Sequence, residues 1–196
     1  SNKMVVVDLV NQDLEAIIDA GAVPHPGRGV NWFDPDYGWV NATSHIGEGR
    51  VLVYGADPVG RPDVAWQVVR DIALPSSGSL FIKSHPNSPW VLVDMTLSAT
   101  GHEKDICAIS KATGALGGLS AARDPDGDGC FTVATNGRAV HFEFNMDGSE
   151  VMVSDWDPNG AVIVLDGTTL TEIRRFVNLP TPTGKFNVYN TAHDIY

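Results

Sequence analysis

Basic charge, cysteine and long apolar runs are all scarce in this chain. Its 196 residues carry 13 Lys and Arg against 24 Asp and Glu, a formal net charge of −11, with a pI near 4.7. So acidic a surface repels phosphate backbones and anionic headgroups, which argues against nucleic acid and membrane surfaces as partners. No apolar run approaches the roughly 18 residues a spanning helix needs. Nor does the start read as a leader, because a strand pattern begins at once; a leader of an exported protein would lie outside this sequence. Cys107 and Cys130 are the only cysteines, with 22 residues between them. Without CxxC or CxxCH there is no zinc ribbon, thioredoxin-type motif or c-type haem attachment. A disulfide formed in an oxidising compartment and two buried free thiols both remain open.

Helical periodicity is missing too. Residues 12–20 come closest to an amphipathic helix and are too short for one. What is present, with 43% hydrophobic residues, 20 Gly and 12 Pro, suits one domain with a real core. Almost every apolar segment is short, β-branched and bounded by Gly, Pro, Asn or Asp, as strands are. Strands are expected at 3–8, 14–19, 39–44, 50–54, 65–72, 79–84, 90–95, 106–110, 139–145, 150–155, 161–166 and 170–177. Similar turns begin at Asp34 (DPDYG), His85 (HPNS) and Asn145 (NMDG), 51 and 60 residues apart. Each leads into a strand, a second strand that often ends in Asp, and a third. A several-stranded repeat of roughly 40–50 residues indicates a β-propeller blade. About four blades fit in a single domain, 1–196, with the opening segment forming the tail of an earlier copy.

The stretch most suggestive of chemistry is Pro24-His25-Pro26-Gly27-Arg28-Gly29-Val30-Asn31. Proline fixes φ and glycine accepts φ values other residues avoid, so this turn can be rigid without being helical. His25 can exchange a proton near neutral pH, and Arg28 can hold a carboxylate through two parallel hydrogen bonds. A solvated surface turn whose His and Arg face water is the alternative.

With HPGRGVNW (25–32), ATSHIGEG (42–49), GSLFIKSHPNS (78–88) and TPTGKFNVYNTAHDIY (181–196), the chain resembles the C-terminal part of the d1-haem domain of cytochrome cd1 nitrite reductases. The resemblance runs from Ser1 to Tyr196. It implies an all-β fold, the C-terminal half of an eight-bladed propeller that holds haem d1. It also implies periplasmic reduction of nitrite to nitric oxide. His25 would be a distal proton donor, and Arg28 would anchor a haem carboxylate. Phe81 would pack at the haem edge, with Thr183 and Gly184 bordering the macrocycle. The partners implied are nitrite, a small periplasmic electron donor (a c-type cytochrome or a cupredoxin) and a second copy in a full-length homodimer. The proximal iron ligand, the second distal histidine and a haem c domain would lie upstream of Ser1, so the chain alone should be inactive. His141 stands where the family pattern has glutamine, and either a pocket residue or a satisfied strand histidine fits there. Two other functions are implied as alternatives: a d1-haem biosynthetic dehydrogenase or carrier, and a non-catalytic interaction propeller.

The remaining constellations are bland. DPDGDG (124–129) opens like a calcium loop, but position 12 is Thr135 rather than an acid, so a solvated acidic turn is the reading. Gly184-Lys185 lacks the rest of a P-loop, and GALGGLS (114–120) matches no dinucleotide fingerprint. His45, His85, His102 and His193 are scattered, so a protein-only metal site is not expected; His45 and His85 should tie loops. The five tryptophans are expected in the propeller core.

Overall fold

The computed structural model describes residues 2–25, 27 and 29–182. Among the described residues the regular structure is all strand. The elements are β1 (Lys3–Asp8), β2 (Asp13–Asp19), β3 (Val30–Asp34), β4 (Gly38–Ser44), β5 (Arg50–Gly55), β6 (Val68–Ala73), β7 (Ile82–Ser84) and β8 (Trp90–Asp94). They continue as β9 (Asp105–Ser110), β10 (Ala115–Leu116), β11 (Cys130–Thr132), β12 (Arg138–Phe144), β13 (Glu150–Trp156), β14 (Ala161–Asp166) and β15 (Glu172–Val177).

These strands form four separate sheets, each an antiparallel meander. The orders are β1-β2, then β3-β4-β5-β6, then β7-β8-β9-β10 with β11 also on β9, and last β12-β13-β14-β15. Three sheets are therefore complete four-stranded blades and the first is a two-stranded hairpin. The sheets do not close on one another, so the architecture is a partial propeller. β7 packs against β3 on one side and β12 on the other, which makes the first strand of each blade the inner one.

Burial between blades explains the sequence pattern. β8 reads WVLVD and is buried throughout. Val91 and Val93 join a core with Val30, Trp32, Val40 and Val53 of the preceding blade. Trp90 and Leu92 join the other, with Ala139, Phe142, Val151 and Ile163 of the following blade. A strand covered on both faces has no need of polar alternation. Among the described residues no further blade covers β15, which is exposed along its length.

The three repeated turns are the first hairpins of the three blades, joining β3 to β4, β7 to β8 and β12 to β13. The second and third of these turns are tied together. The His85 ring meets the Met146 carbonyl at 3.2 Å, and Asn87 donates to the Asp147 carbonyl at 3.0 Å. Gly148, at φ +78°, passes so close that an added Cβ would lie 2.4 Å from the His85 ring. Asp8 and Asp166 both end a strand and accept backbone N–H groups two and three residues on. That match marks β1-β2 as the third and fourth strands of a blade, the tail expected from the repeat.

Several boundaries differ from expectation. β3 lies inside the stretch read as turn, because Val30 and Trp32 alternate into the core while Asn31 and Phe33 face out. Residues 79–81 are not strand: the Ser79 N–H donates to the His45 carbonyl, and Asp94 takes the N–H groups of Leu80 and Phe81. Cys107 and Cys130 form a disulfide, which settles the open choice. They sit opposite each other on β9 and β11. β10 and β11 share one side of β9, so this blade's fourth strand is split by the 117–129 loop, and the disulfide clamps the split. Asp124 accepts the N–H groups of Gly127, Asp128 and Gly129, which makes it a turn former. Trp39 is 46% exposed and stands outside the two cores that hold Trp32 and Trp90.

A ring wall across three blades

His25 reaches its place through a clamp on the end of β4. Its N–H donates to the Ser44 carbonyl at 3.1 Å, and the Ile46 N–H donates to Val23 at 2.9 Å. The imidazole is half-buried, and that burial pushes its pKa below the ordinary histidine value. Phe81 comes next: its ring centroid lies 5.6 Å from that of His25. On its other side the His141 ring lies 4.2 Å away, tilted by 52°. Trp156 continues the row 6.3 Å beyond His141. The row crosses the three complete blades, with His25 and Phe81 ahead of β3 and β7, His141 within β12 and Trp156 at the end of β13.

His141 owes its position to a local irregularity. It sits at φ +51°, and the β12–β13 register shifts between Val140 and Glu143. A left-handed backbone at a non-glycine residue costs on the order of 1–3 kcal/mol and tends to mark functional segments. The bulge breaks strand alternation, so Ala139 and Val140 are both buried and His141 is half-buried. Two residues along on each inner strand, Lys83 and Glu143 form a 2.8 Å ion pair between β7 and β12.

Behind the wall are two buried aspartates. Asp94, at the end of β8, is fully buried and accepts hydrogen bonds from Leu80 N–H at 2.7 Å and Phe81 N–H at 3.0 Å. Burial raises its pKa to about 6, although its hydrogen bonds pull the other way. Asp155, near the end of β13, accepts the N–H groups of Asn136 and Gly137, each at 2.8 Å. Each aspartate fixes the approach to its blade's inner strand. The sequence signal for them, a second strand ending in Asp, was visible as part of the repeat but carried no hint of this role. Lys83 and Glu143 were likewise not singled out, and Trp156 was expected only as core.

Of the six residues expected to form a site, the structure brings together His25, Phe81 and His141. Arg28, Thr183 and Gly184 lie outside the described residues. His45 and His85 are buried and hydrogen-bonded to the Arg50 and Met146 carbonyls, as loop ties.

The blades and their ring wall define a propeller segment whose inner strands offer an aromatic, imidazole-bearing surface. The sequence model of the cytochrome D1 heme domain matches residues 1–191. The chain belongs to that family. It is 34% identical to the nitrite reductase of Stutzerimonas stutzeri, an alignment covering 100% of this chain and 37% of the relative. It is 31% identical to the dihydro-heme d1 dehydrogenase of Pseudomonas aeruginosa, covering 94% of this chain and 33% of the relative. The chain thus spans about a third of the length of these relatives. The solved dihydro-heme d1 dehydrogenase NirN in complex with DHE superposes with a TM-score of 0.77 at 26% identity, over 96% of this chain and 35% of that one. Kuenenia stuttgartiensis hydrazine synthase shares the fold, with a TM-score of 0.62 at 14% identity over 90% of this chain and 43% of that one.

Proposed function

We propose that the chain is the haem d1-binding portion of a periplasmic nitrite reductase, which reduces nitrite to nitric oxide. The observation that carries this reading is the convergence of His25, Phe81 and His141 on one ring wall, in a chain of the cytochrome d1 haem family. The donor set fits the group. A flat tetrapyrrole packs against aromatic edges, which Phe81 and His141 offer, and its carboxylates need cations, for which Arg28 is the assigned anchor. Bound haem d1 supplies a redox-active iron for one-electron reduction of nitrite.

The chain's own part is the proton. Nitrite, one electron and two protons give nitric oxide and water, so a proton donor must stand beside the anion. His25 fits because its burial lowers the imidazole pKa, leaving it neutral at rest. An anion beside the ring favours the imidazolium and draws a proton onto it when the substrate arrives. Phe81, between the two imidazoles, keeps that side apolar and limits water. Thr183 and Gly184 are assigned to the macrocycle border and His141 to the pocket wall.

The Cys107–Cys130 disulfide supports an oxidising compartment, in keeping with the periplasm. The whole protein would add upstream blades, a haem c domain, the proximal iron ligand and the second distal histidine. It would take electrons from a small cytochrome or cupredoxin and form a homodimer. The similarity to NirN favours a second reading, a d1-haem dehydrogenase or carrier. An absorbance titration of the whole protein with haem d1, followed by nitrite turnover, tests both. Saturable binding weakened by Arg28→Ala, with turnover lost in His25→Ala, is expected. Binding without turnover would favour the dehydrogenase reading, and no binding would favour a non-catalytic propeller.

A further inference from the structure

Asp94 shares the single proton of one threonine hydroxyl with a second acceptor. Its Oδ1 is served by three donors: the N–H groups of Leu80 and Phe81 and the Ser79 hydroxyl at 3.2 Å. Its Oδ2 lies 2.9 Å from the Thr96 hydroxyl oxygen, which is also 2.8 Å from the Ala139 carbonyl on β12. A threonine hydroxyl has one proton and cannot donate to both acceptors. With Asp94 ionised, the charged oxygen holds that proton more strongly and the Ala139 carbonyl loses this donor. With Oδ2 protonated, Asp94 donates to Thr96 and Thr96 donates to Ala139, so every contact has its proton. The three donors crowded on Oδ1 leave Oδ2 as the atom to protonate.

We propose that Asp94 is a proton-operated positioning residue: protonation of its Oδ2 redirects the Thr96 hydroxyl to Ala139 and fastens the Phe81 segment to the strand that carries His141. The role of that wall in cofactor binding rests on the function proposed above; the latch itself does not. Burial supports the idea, since it brings the Asp94 carboxyl to about 6, within reach of mildly acidic conditions.

The surrounding charged and titratable groups lie on each packed element. Arg138 on β12 donates to the Thr96 carbonyl at 3.1 Å, and Lys83 on β7 pairs with Glu143 on β12. Asp155 on β13 stands opposite Ala139, and His25 and His141 flank the Phe81 ring. Asp94 itself has no ion-pair partner among the described residues, so its hydroxyl and amide neighbours govern the proton. Asp155 takes one amide on each oxygen and lacks the shared hydroxyl that makes Asp94 a two-state group.

The test is pH-difference infrared spectroscopy on the whole protein without cofactor, comparing wild type with Asp94→Asn and Thr96→Val. Asparagine mimics the protonated acid, because its oxygen can accept from the Leu80 and Phe81 amides while its NH₂ donates to Thr96. Expected is a protonated-carboxyl C=O band that grows in wild type as the pH falls through about 6. It should be absent from Asp94→Asn and shifted in Thr96→Val, which has lost the hydroxyl. The His141 ring signals in NMR should step at the same pH in wild type and not in either variant. A band that survives Asp94→Asn, or that Thr96→Val leaves in place, would overturn the proposal. Since no cofactor is present, loss of haem binding would count against the proposed function alone.

Discussion

His25 is a half-buried imidazole with a lowered pKa, and that has two measurable consequences. The unfolded chain takes up this proton near the ordinary value of about 6.5, whereas the folded chain takes it up only at lower pH. Between those values the unfolded state binds more protons, so folding stability falls as the pH drops through that window. Denaturant titrations over this range should show a shallower fall in His25→Gln than in wild type. In the whole enzyme, His25→Ala should reduce nitrite turnover by about 10²–10⁴-fold, the range for losing a positioned proton donor. The haem d1 absorbance should persist, and steady-state assays beside the spectrum check both. Gly148 gives a structural counterpart. Alanine there would adopt φ +78° and press on the His85 ring. Gly148→Ala should cost at least about 1–2 kcal/mol, read from the denaturation midpoint.

At the scale of elements, the split outer strand of the second blade depends on a covalent clamp. β10 and β11 are two and three residues long, too short to hold β9 by hydrogen bonds alone, and the disulfide joins residues with a sequence separation of 23. Closing a loop of this size constrains the unfolded chain by about 3 kcal/mol. Cys107→Ser with Cys130→Ser should therefore lower the melting temperature, and dithiothreitol should do so in wild type but not in the double variant. Most strands were legible from their apolar runs and bounding turns; 3–8 and 161–166 coincide with β1 and β14. β3, β10 and β11 were not. β3 hides in a Pro- and Gly-rich stretch, and the other two exist because β9 offers an edge, a nonlocal cause. The His141 bulge was illegible for a similar reason, since a left-handed backbone at a non-glycine residue persists only where its tertiary surroundings hold it.

Across the whole molecule, the open hairpin and the exposed β15 set this segment apart from a closed ring. Between them the ring wall is assembled from three blades, so a ligand seated on it would couple those blades mechanically. If haem d1 binds there, a free concentration of 100 times Kd should stabilise the whole protein by about 2.7 kcal/mol, seen as a rise in melting temperature. Arg28→Ala should shrink that rise at equal haem concentration.

The sequence by itself determined the strand content, the blade repeat and the family. Those depend on local grammar: β-branched runs, turns built on Asp, Gly and Pro, and long diagnostic segments such as HPGRGVNW. It also pointed to His25 and Phe81. Only the tertiary structure decided that His25, Phe81 and His141 meet, that Cys107 pairs with Cys130, and that Asp94 is buried behind the Phe81 segment. The reason is the same in each case. These contacts join residues distant in sequence, within one blade or between blades, and depend on how the strands pack, a relation that no short stretch of chain encodes.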